Sequence, residues 1–181
     1  IKYQRYWQFT FCPDYSKTEA EWLEQLDAIL NDSVKHHLVS DVPFGAFLSG
    51  GNDSSAVVAY MSRFLNRPIK TFSIGFDEPS YDERKYAEIV SEKWGTEHYS
   101  EIVSPNALEI LPKLVQHYGE PFGDSSSIPT YYVSKLARKH VPMVLSGDGG
   151  DELFAGYASY IAWADYVAME KPLWKKALKP I

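Results

Sequence analysis

Residues 49–55, with the sequence SGGNDSS, have the composition of a site that binds a phosphate group. They follow one apolar run and open a second apolar run of helical type. Glycines let backbone amides approach an anion closely, and the first N–H groups of a helix favour negative charge. The stretch contains no lysine, which distinguishes it from a P-loop. Further donors are the hydroxyl groups of Ser49, Ser54 and Ser55.

Asp53 lies within the same stretch, where its negative charge would repel a polyphosphate. A divalent cation between the carboxylate and the phosphates removes that repulsion. The alternative is an ordinary strand-to-helix connection in which Asp53 is the helix N-cap and nothing is bound. The complete S-G-G-x-D-S pattern between an apolar strand and an apolar helix favours binding.

A second loop, residues 144–157 with the sequence VLSGDGGDELFAGY, repeats this arrangement. An apolar run again ends in Ser-Gly, and the acids Asp148, Asp151 and Glu152 follow. The alternatives are an acidic solvated loop or an unusual calcium loop, although the spacing of an EF-hand is absent. If both loops face one crevice, Asp53 and Asp151 hold one Mg²⁺ on a triphosphate, because Mg²⁺ binds through one or two carboxylates plus phosphates.

Apolar strands alternate with amphipathic helices along the chain, which predicts an α/β fold with a parallel sheet and helices on both faces. Ligands bind at the carboxyl ends of the strands in such sheets. The segments to search for chemistry are therefore 49–55, 75–83 and 146–152. We predict strands over 42–49, 69–76, 97–103 and 141–146, helices over 18–38, 54–65, 80–95, 104–119, 128–140 and from 157, and loops over 120–127 and 147–156.

Helix boundaries are predicted from local signals. Thr18 with Glu21, and Ser80 with Glu83, have the spacing of a capping box. Gly95 is a predicted helix stop. The helix over 104–119 is predicted to begin with Ser104 as N-cap and Pro105 at its first position.

Composition excludes several classes of protein. The chain has 181 residues, 45% of them hydrophobic, which suits one domain with a sizeable core. A net charge of −6 gives no indication of a nucleic-acid surface. Cys12 is the only cysteine, which excludes a disulfide framework and fits a cytoplasmic protein. No apolar run is long enough to cross a membrane.

Taken together, the two loops resemble those of a known enzyme family. S-G-G-x-D-S is the signature of the PP-loop ATP pyrophosphatases. The second loop, with FSIGF and YDE between the two, resembles the synthetase domain of glutamine-hydrolysing asparagine synthetases, and the likeness runs from about residue 5 to residue 157. The resemblance implies a PP-loop fold for residues 1–181 as one synthetase domain, and we expect the chain to be an excised part of a larger enzyme.

The resemblance also implies roles for individual residues. Residues 49–55 would bind the pyrophosphate part of ATP, and Phe47 and Ile74 would lie beside the base and ribose. Asp53 and Asp151 would bind Mg²⁺. Asp148 would be catalytic, at a position where relatives carry an acid, most often Glu, that is important for forming an acyl-adenylate. The nucleotide-binding positions are then Phe47, Leu48, Ser49, Gly50, Gly51, Asp53, Ser54, Ser55, Ile74, Ser146 and Gly147.

The implied reaction is adenylation of the aspartate side chain, followed by attack of ammonia to give asparagine, AMP and pyrophosphate. The ammonia would come from a glutaminase domain that this chain lacks, and relatives continue past position 181 with further helices. A different carboxylate, as in β-lactam synthetase or a cell-surface amidotransferase, and a nucleotide-binding module without turnover are the alternatives. Two points are left open: whether the enzyme is a homodimer, and whether residues 120–129 line an aspartate pocket or only cap a helix.

Overall fold

A computed structural model describes residues 2–78, 82–104, 106–120 and 122–169. Helices and strands alternate in it as the sequence predicts. Ser80, Pro105 and residues 170–181 lie outside the described residues, so the predictions that fall on them are not addressed. The elements are α1 Glu19–His37, β1 Phe44–Phe47, α2 Asn52–Ser62, β2 Lys70–Phe76, α3 Arg84–Trp94, β3 Glu97–Val103, α4 Ala107–Tyr118, α5 Ser127–Arg138, β4 Met143–Leu145, α6 Gly150–Phe154 and α7 Ala158–Met169.

The four strands form one parallel sheet in the order β3-β2-β1-β4. Ala46 of β1 is level with Thr71 of β2 on one side and with Leu145 of β4 on the other. The chain moves outward from β1 to β3 and then returns across the sheet to β4. Because parallel crossovers are right-handed, α2 and α3 cover one face and the helices between β3 and β4 cover the other.

Two hydrophobic clusters confirm that helices cover both faces of the sheet. Ala46 and Leu48 pack with residues of α1, α2 and α3, among them Val58 and Met61. Phe72 packs on the opposite face with residues of α5, and Phe47 contributes to that cluster. Alternate residues of β1 therefore point into different cores, as the pleat of a strand requires.

The reversal of strand order places β1 at a topological switch point. From the carboxyl end of β1 the chain turns toward β2, and β4 arrives on the other side of β1. A crevice opens at such a point because the two connections leave in opposite directions. The loops after β1 and β4, which carry the two sequence motifs, therefore meet at one edge of the sheet.

The predicted helix boundaries are partly confirmed. Thr18 and Glu21 form the predicted capping box, in which the Thr18 N–H donates to Glu21 Oε2 at 2.7 Å and the Glu21 N–H donates to Thr18 Oγ1 at 3.3 Å. Gly95 ends α3 with φ of 60°. The prediction for α4 is wrong, because Asn106 is its N-cap and the Ser104 hydroxyl instead donates to Asp77.

Two further predictions need correction. Residues 147–156 were expected to be a loop, yet 150–154 form the short helix α6, with Asp151 and Glu152 in its first turn, where the helix dipole favours acids. The strands at 44–47 and 143–145 are shorter than the predicted 42–49 and 141–146. Among the described residues, no helix is long and apolar enough to cross a membrane.

The packing of β2 supports a prediction about stability. Phe72 is 0% exposed and its ring stacks on Tyr99 at 5.6 Å. The change Phe72→Ala is expected to lower the free energy of unfolding by about 3–5 kcal/mol, because it leaves a cavity in the core. Leu23→Ala, at a position 58% exposed, is the control and is expected to stay within about 0.5 kcal/mol. Urea denaturation measures both, and equal effects would contradict the assignment of Phe72 to the core.

Candidate functional site

The first loop connects β1 to α2 and leaves the start of α2 uncapped by any side chain. Gly51 is the N-cap residue and makes no side-chain cap bond, and α2 begins at Asn52. The alternative in which Asp53 caps the helix is therefore wrong, since Asp53 lies in the first turn. The first N–H groups of α2 are left as donors, which is how a helix N-terminus binds an anion.

Gly50 is required by the backbone and by the space around it. Its φ is 85°, a conformation that side chains with a Cβ rarely adopt. A Cβ at this position would also lie 2.5 Å from the backbone nitrogen of Ala87 in α3. The loop after β1 and the first turn of α3 are thus in direct contact.

Hydroxyl groups fix the shape of the first loop from within. The Ser54 Oγ accepts from the Ser49 N–H at 3.2 Å, lies 3.0 Å from the Ser49 Oγ, and donates to the Gly51 carbonyl at 3.3 Å. The Gly51 N–H donates to the Ser49 Oγ at 3.2 Å. The loop is therefore preorganised by its own serines.

Two predicted nucleotide-binding residues have buried side chains. Leu48 is 1% exposed, and its N–H donates to the Phe72 carbonyl at 2.9 Å, which extends the ladder between β1 and β2. The Ser55 Oγ is buried without a hydrogen-bond partner among the described residues. The roles of Leu48 and Ser55 in binding remain predictions.

The second loop is also ordered by its own polar groups. The Ser146 hydroxyl donates to Asp148 Oδ2 at 2.9 Å, and the Gly150 N–H donates to the Gly147 carbonyl at 3.2 Å. Gly149 has φ of 90° and turns the chain into α6. This arrangement holds Asp148 at the surface and directs Asp151 into the first turn of α6.

The two loops touch through glycines. A Cβ on Gly147 would lie 2.8 Å from the Ser54 nitrogen and 2.9 Å from Asp53 Cβ. A Cβ on Gly150 would lie 2.6 Å from both carboxylate oxygens of Asp53. The backbone of the second loop therefore lies directly on Asp53, at a distance that only glycine permits.

Both loops line one cavity of about 700 Å³. Most of the predicted site residues are thus brought together, and Asn52, which is exposed, also lies on this wall. The lining residues are Phe47, Ser49, Gly51, Asn52, Asp53, Ser54, Glu83, Ser146, Gly147, Asp148, Gly150, Asp151, Phe154 and Gly156.

A smaller cavity of about 220 Å³ adjoins the first at the ends of β1 and β2. Its walls are mainly apolar, and the predicted residue Ile74 is among them. An apolar slot beside a polar cavity matches a ligand with a flat apolar part and a charged part. The lining residues are Phe47, Leu48, Ser49, Phe72, Ser73, Ile74, Phe76, Glu83, Arg84, Pro129, Thr130 and Val133.

The donor set fits Mg²⁺ shared with a bound anion. Asp53 and Asp151 line the same cavity. The described residues contain no group of three or more His, Cys, Asp or Glu that could hold a metal ion by themselves. Mg²⁺ needs no such cage, because phosphates and waters complete its octahedron. The predicted metal role of Asp53 and Asp151 is compatible with this arrangement and remains a prediction.

The first turn of α3 is a part of the site whose function the sequence did not indicate. Arg84 donates from Nε and Nη2 to the two oxygens of Asp82, both at 2.8 Å. The hydrogen bonds from Arg84 lower the pKa of Asp82 from 3.8 to about 2. This pair packs on Gly75 at the end of β2, where a Cβ would lie 2.6 Å from Asp82 Oδ1. The Asp82–Arg84 pair thus packs the start of α3 on the end of β2, and Glu83 between them lines both cavities.

The polar loop before α5 forms a turn that leads into that helix, whose N-cap residue Ser126 makes no side-chain cap bond. The Ser126 N–H donates to Asp124 Oδ1 at 2.8 Å, and the Ser127 hydroxyl donates to the Asp124 carbonyl at 2.7 Å. The hydrogen bonds from Ser126 lower the pKa of Asp124. Pro129 and Thr130 just beyond line the smaller cavity, so the loop ends beside the site.

Comparison with known proteins identifies related sequences. Residues 25–178 match the family model described as asparagine synthase. The chain is 45% identical over 165 residues to a putative asparagine synthetase (glutamine-hydrolysing) 2 of Methanocaldococcus jannaschii, a match that covers 89% of this chain and 31% of the relative. It is 42% identical over 161 residues to asparagine synthetase (glutamine-hydrolysing) 1 of Bacillus subtilis, covering 88% of this chain and 25% of the relative. The human asparagine synthetase is 32% identical over 143 residues, or 73% of this chain and 25% of that protein. The chain thus spans a third or less of these relatives.

The contact between the loops can be tested without any ligand. Gly147→Ala is expected to lower the free energy of unfolding by about 1–3 kcal/mol, because the added methyl group meets the Ser54 nitrogen at 2.8 Å. Gly123→Ala is the matched control, since a Cβ there meets nothing within 4 Å. Thermal or urea unfolding compares the two, and equal stabilities would show that the loops are not packed as described.

The ion pair at the start of α3 predicts a pH dependence of stability. The pKa of Asp82 is lower in the folded protein than in the unfolded chain, so its contribution is present above about pH 4 and is lost as the pH falls toward 2. Asp82→Asn is therefore expected to be less stable than the wild type at pH 7, and the difference is expected to narrow between pH 4 and pH 2. Unfolding curves across this range measure it, and a constant difference would contradict the role of Arg84.

Proposed function

The chain belongs to the asparagine synthase family, and from this premise we propose that it is the ATP-dependent amide-forming domain of a glutamine-hydrolysing asparagine synthetase. The observation that carries this proposal is the contact of two strand-end loops around one cavity, with backbone amides on one side and carboxylates on both. The names of the relatives support the reaction class. Activity, substrates and partners of the whole protein are part of the proposal, because the chain covers only part of those relatives.

In this proposal the first loop binds the pyrophosphate part of ATP. The residues at the uncapped start of α2, Asn52, Asp53 and Ser54, line the cavity together with Ser49. These donors stabilise negative charge that develops on a leaving pyrophosphate. Asp53 and Asp151 would hold Mg²⁺, which supplies positive charge to the same leaving group.

The absence of a lysine in residues 49–55 follows from which bond is broken. A P-loop lysine contacts the β- and γ-phosphates in enzymes that transfer the γ-phosphoryl group. Here a side-chain carboxylate oxygen of aspartate attacks the α-phosphorus, and the bond between that phosphorus and the bridging oxygen to the β-phosphate breaks. Pyrophosphate leaves as one unit, so the loop has to hold the β- and γ-phosphates together.

The second half-reaction releases AMP. Ammonia attacks the acyl carbon of β-aspartyl-AMP, the bond from that carbon to the phosphate oxygen breaks, and asparagine forms as ammonia loses a proton to the surroundings. Asp148 is the proposed catalytic residue, an exposed carboxylate on the cavity wall that the Ser146 hydroxyl orients at 2.9 Å.

A cytoplasmic location and a homodimer stay predictions from the sequence.

The reaction is tested by product analysis on the complete polypeptide that carries this chain. With ATP, Mg²⁺, aspartate and ammonia, we expect pyrophosphate, AMP and asparagine in equal amounts. Pyrophosphate that appears with another carboxylate but not with aspartate would assign a different acceptor. ATP binding with no pyrophosphate from any carboxylate would indicate a nucleotide-binding module and overturn the proposal.

The metal assignment is tested with Asp53→Asn. We expect kcat/KM for pyrophosphate formation to fall by about 100-fold or more and the Mg²⁺ requirement to rise, because one of two metal-binding carboxylates is lost. Asp41→Asn serves as control, since Asp41 is exposed and lies outside the cavity. An unchanged Mg²⁺ dependence in Asp53→Asn would contradict the assignment.

A further inference from the structure

The two cavities at the ends of β1 and β2 meet at a common wall. Only three described residues line both of them: Phe47, Ser49 and Glu83. Phe47 is apolar, and the Ser49 hydroxyl already accepts from the Gly51 N–H and pairs with Ser54. Glu83 is thus the one residue of this wall with an ionisable side chain.

The first turn of α3 is held rigidly at this wall. On one side it packs on Gly50, where a Cβ would lie 2.5 Å from the Ala87 nitrogen. On the other side the Asp82–Arg84 pair packs on Gly75 at the end of β2. The first contact is with the backbone of α3 and the second with the Asp82 and Arg84 side chains, so the residues on both sides of Glu83 pack on the loop after β1 and on the end of β2.

Within the part of the chain that the structure describes, the carboxylate of Glu83 takes no part in holding α3. Its backbone carbonyl accepts from the N–H groups of Tyr86 at 2.9 Å and Ala87 at 3.3 Å, but its side chain makes no cap bond. With the residues that the structure describes, the carboxylate has no hydrogen bond or ion pair. The neighbouring Asp82 carboxylate is by contrast fully engaged by Arg84. The acid on the shared wall is therefore available to a ligand.

We propose that Glu83 binds the ribose hydroxyls of the nucleotide and makes the site selective for ribonucleotides over deoxyribonucleotides. This inference rests on the proposed function. With phosphates in the larger cavity and the base in the apolar one, the sugar lies at the wall between them. The two adjacent hydroxyls of a ribose are donors, and the two oxygens of a carboxylate are acceptors only, so the groups are complementary. Hydrogen bonds to a charged acceptor are stronger than neutral ones, which gives discrimination.

The test compares the affinities of ATP, 2′-deoxyATP and 3′-deoxyATP by isothermal titration calorimetry with Mg²⁺, on the complete polypeptide that carries this chain. We expect the wild type to bind ATP about tenfold or more tightly than the weaker of the two deoxynucleotides, because that ligand lacks a hydroxyl bonded to a charged group. Glu83→Ala is expected to bring the ratio of the affinities for ATP and for that deoxynucleotide close to one. Glu83→Gln is expected to give an intermediate ratio.

Two controls separate this role from a structural one. Glu92→Gln changes an exposed acid on the same helix that lines neither cavity, and is expected to keep the wild-type ratio. Inorganic pyrophosphate, which has no sugar, is expected to bind the wild type and Glu83→Ala with the same affinity. A change in pyrophosphate binding equal to the change in ATP binding would mean that Glu83 acts through the loops and would overturn the proposal.

The outcomes distinguish this inference from the proposed function. One result is that the wild type binds ATP and both deoxynucleotides equally well, and another is that Glu83→Ala keeps the wild-type ratio of the affinities for ATP and deoxyATP. Either result overturns the role of Glu83 and leaves the proposed function standing. If no adenine nucleotide binds, both are overturned.

Discussion

The contact of Gly147 and Gly150 with Asp53 is the constraint on which the rest of the site depends. It brings the loop after β4 onto the first turn of α2 at backbone distance. Without it, the donors of the first loop and the acids of the second would line separate surfaces. With it, amides, hydroxyls and carboxylates face one cavity, which is the combination that a metal-bound polyphosphate requires.

The sheet makes this contact possible because β1 lies between β2 and β4. The strands that end at the site are short, four residues in β1 and three in β4, so the loops begin close to the sheet and have little freedom. Hydrophobic packing on both faces holds the strands, with Ala46 and Leu48 in one core and Phe72 in the other. Function is thus located in loops, and the rigidity comes from the cores beneath them.

The alternation of strands and helices, the helices on both faces and the meeting of the loops were predictable from sequence, because each depends on hydrophobic pattern and on the geometry of parallel sheets. The N-cap residue of α2 was not predictable from sequence. Gly51 and Asp53 are both acceptable N-cap residues, and which of them caps the helix depends on the conformation of the loop. Helix α6 was also missed, because the glycines around it suggested a loop.

Glu83 shows most clearly what cannot be predicted from the local sequence. Its spacing from Ser80 is that of a capping box, so local reasoning assigns its side chain to the helix end. Ser80 lies outside the described residues, and what the structure shows is that Glu83 is the N-cap residue of α3, makes no side-chain cap bond to that helix and lines two cavities. Contacts between segments that are distant in sequence decide its role, and no local pattern contains them.

The central claim is that the site cleaves ATP between the α- and β-phosphates with a carboxylate as nucleophile. The most direct measurement uses aspartate whose side-chain carboxylate is labelled with ¹⁸O, in a reaction with ATP, Mg²⁺ and ammonia on the complete polypeptide. Mass spectrometry of the products is expected to find one ¹⁸O atom in the phosphate of AMP and none in pyrophosphate. Label in orthophosphate would indicate γ-phosphoryl transfer, and AMP without label would indicate hydrolysis by water; either result would contradict the account.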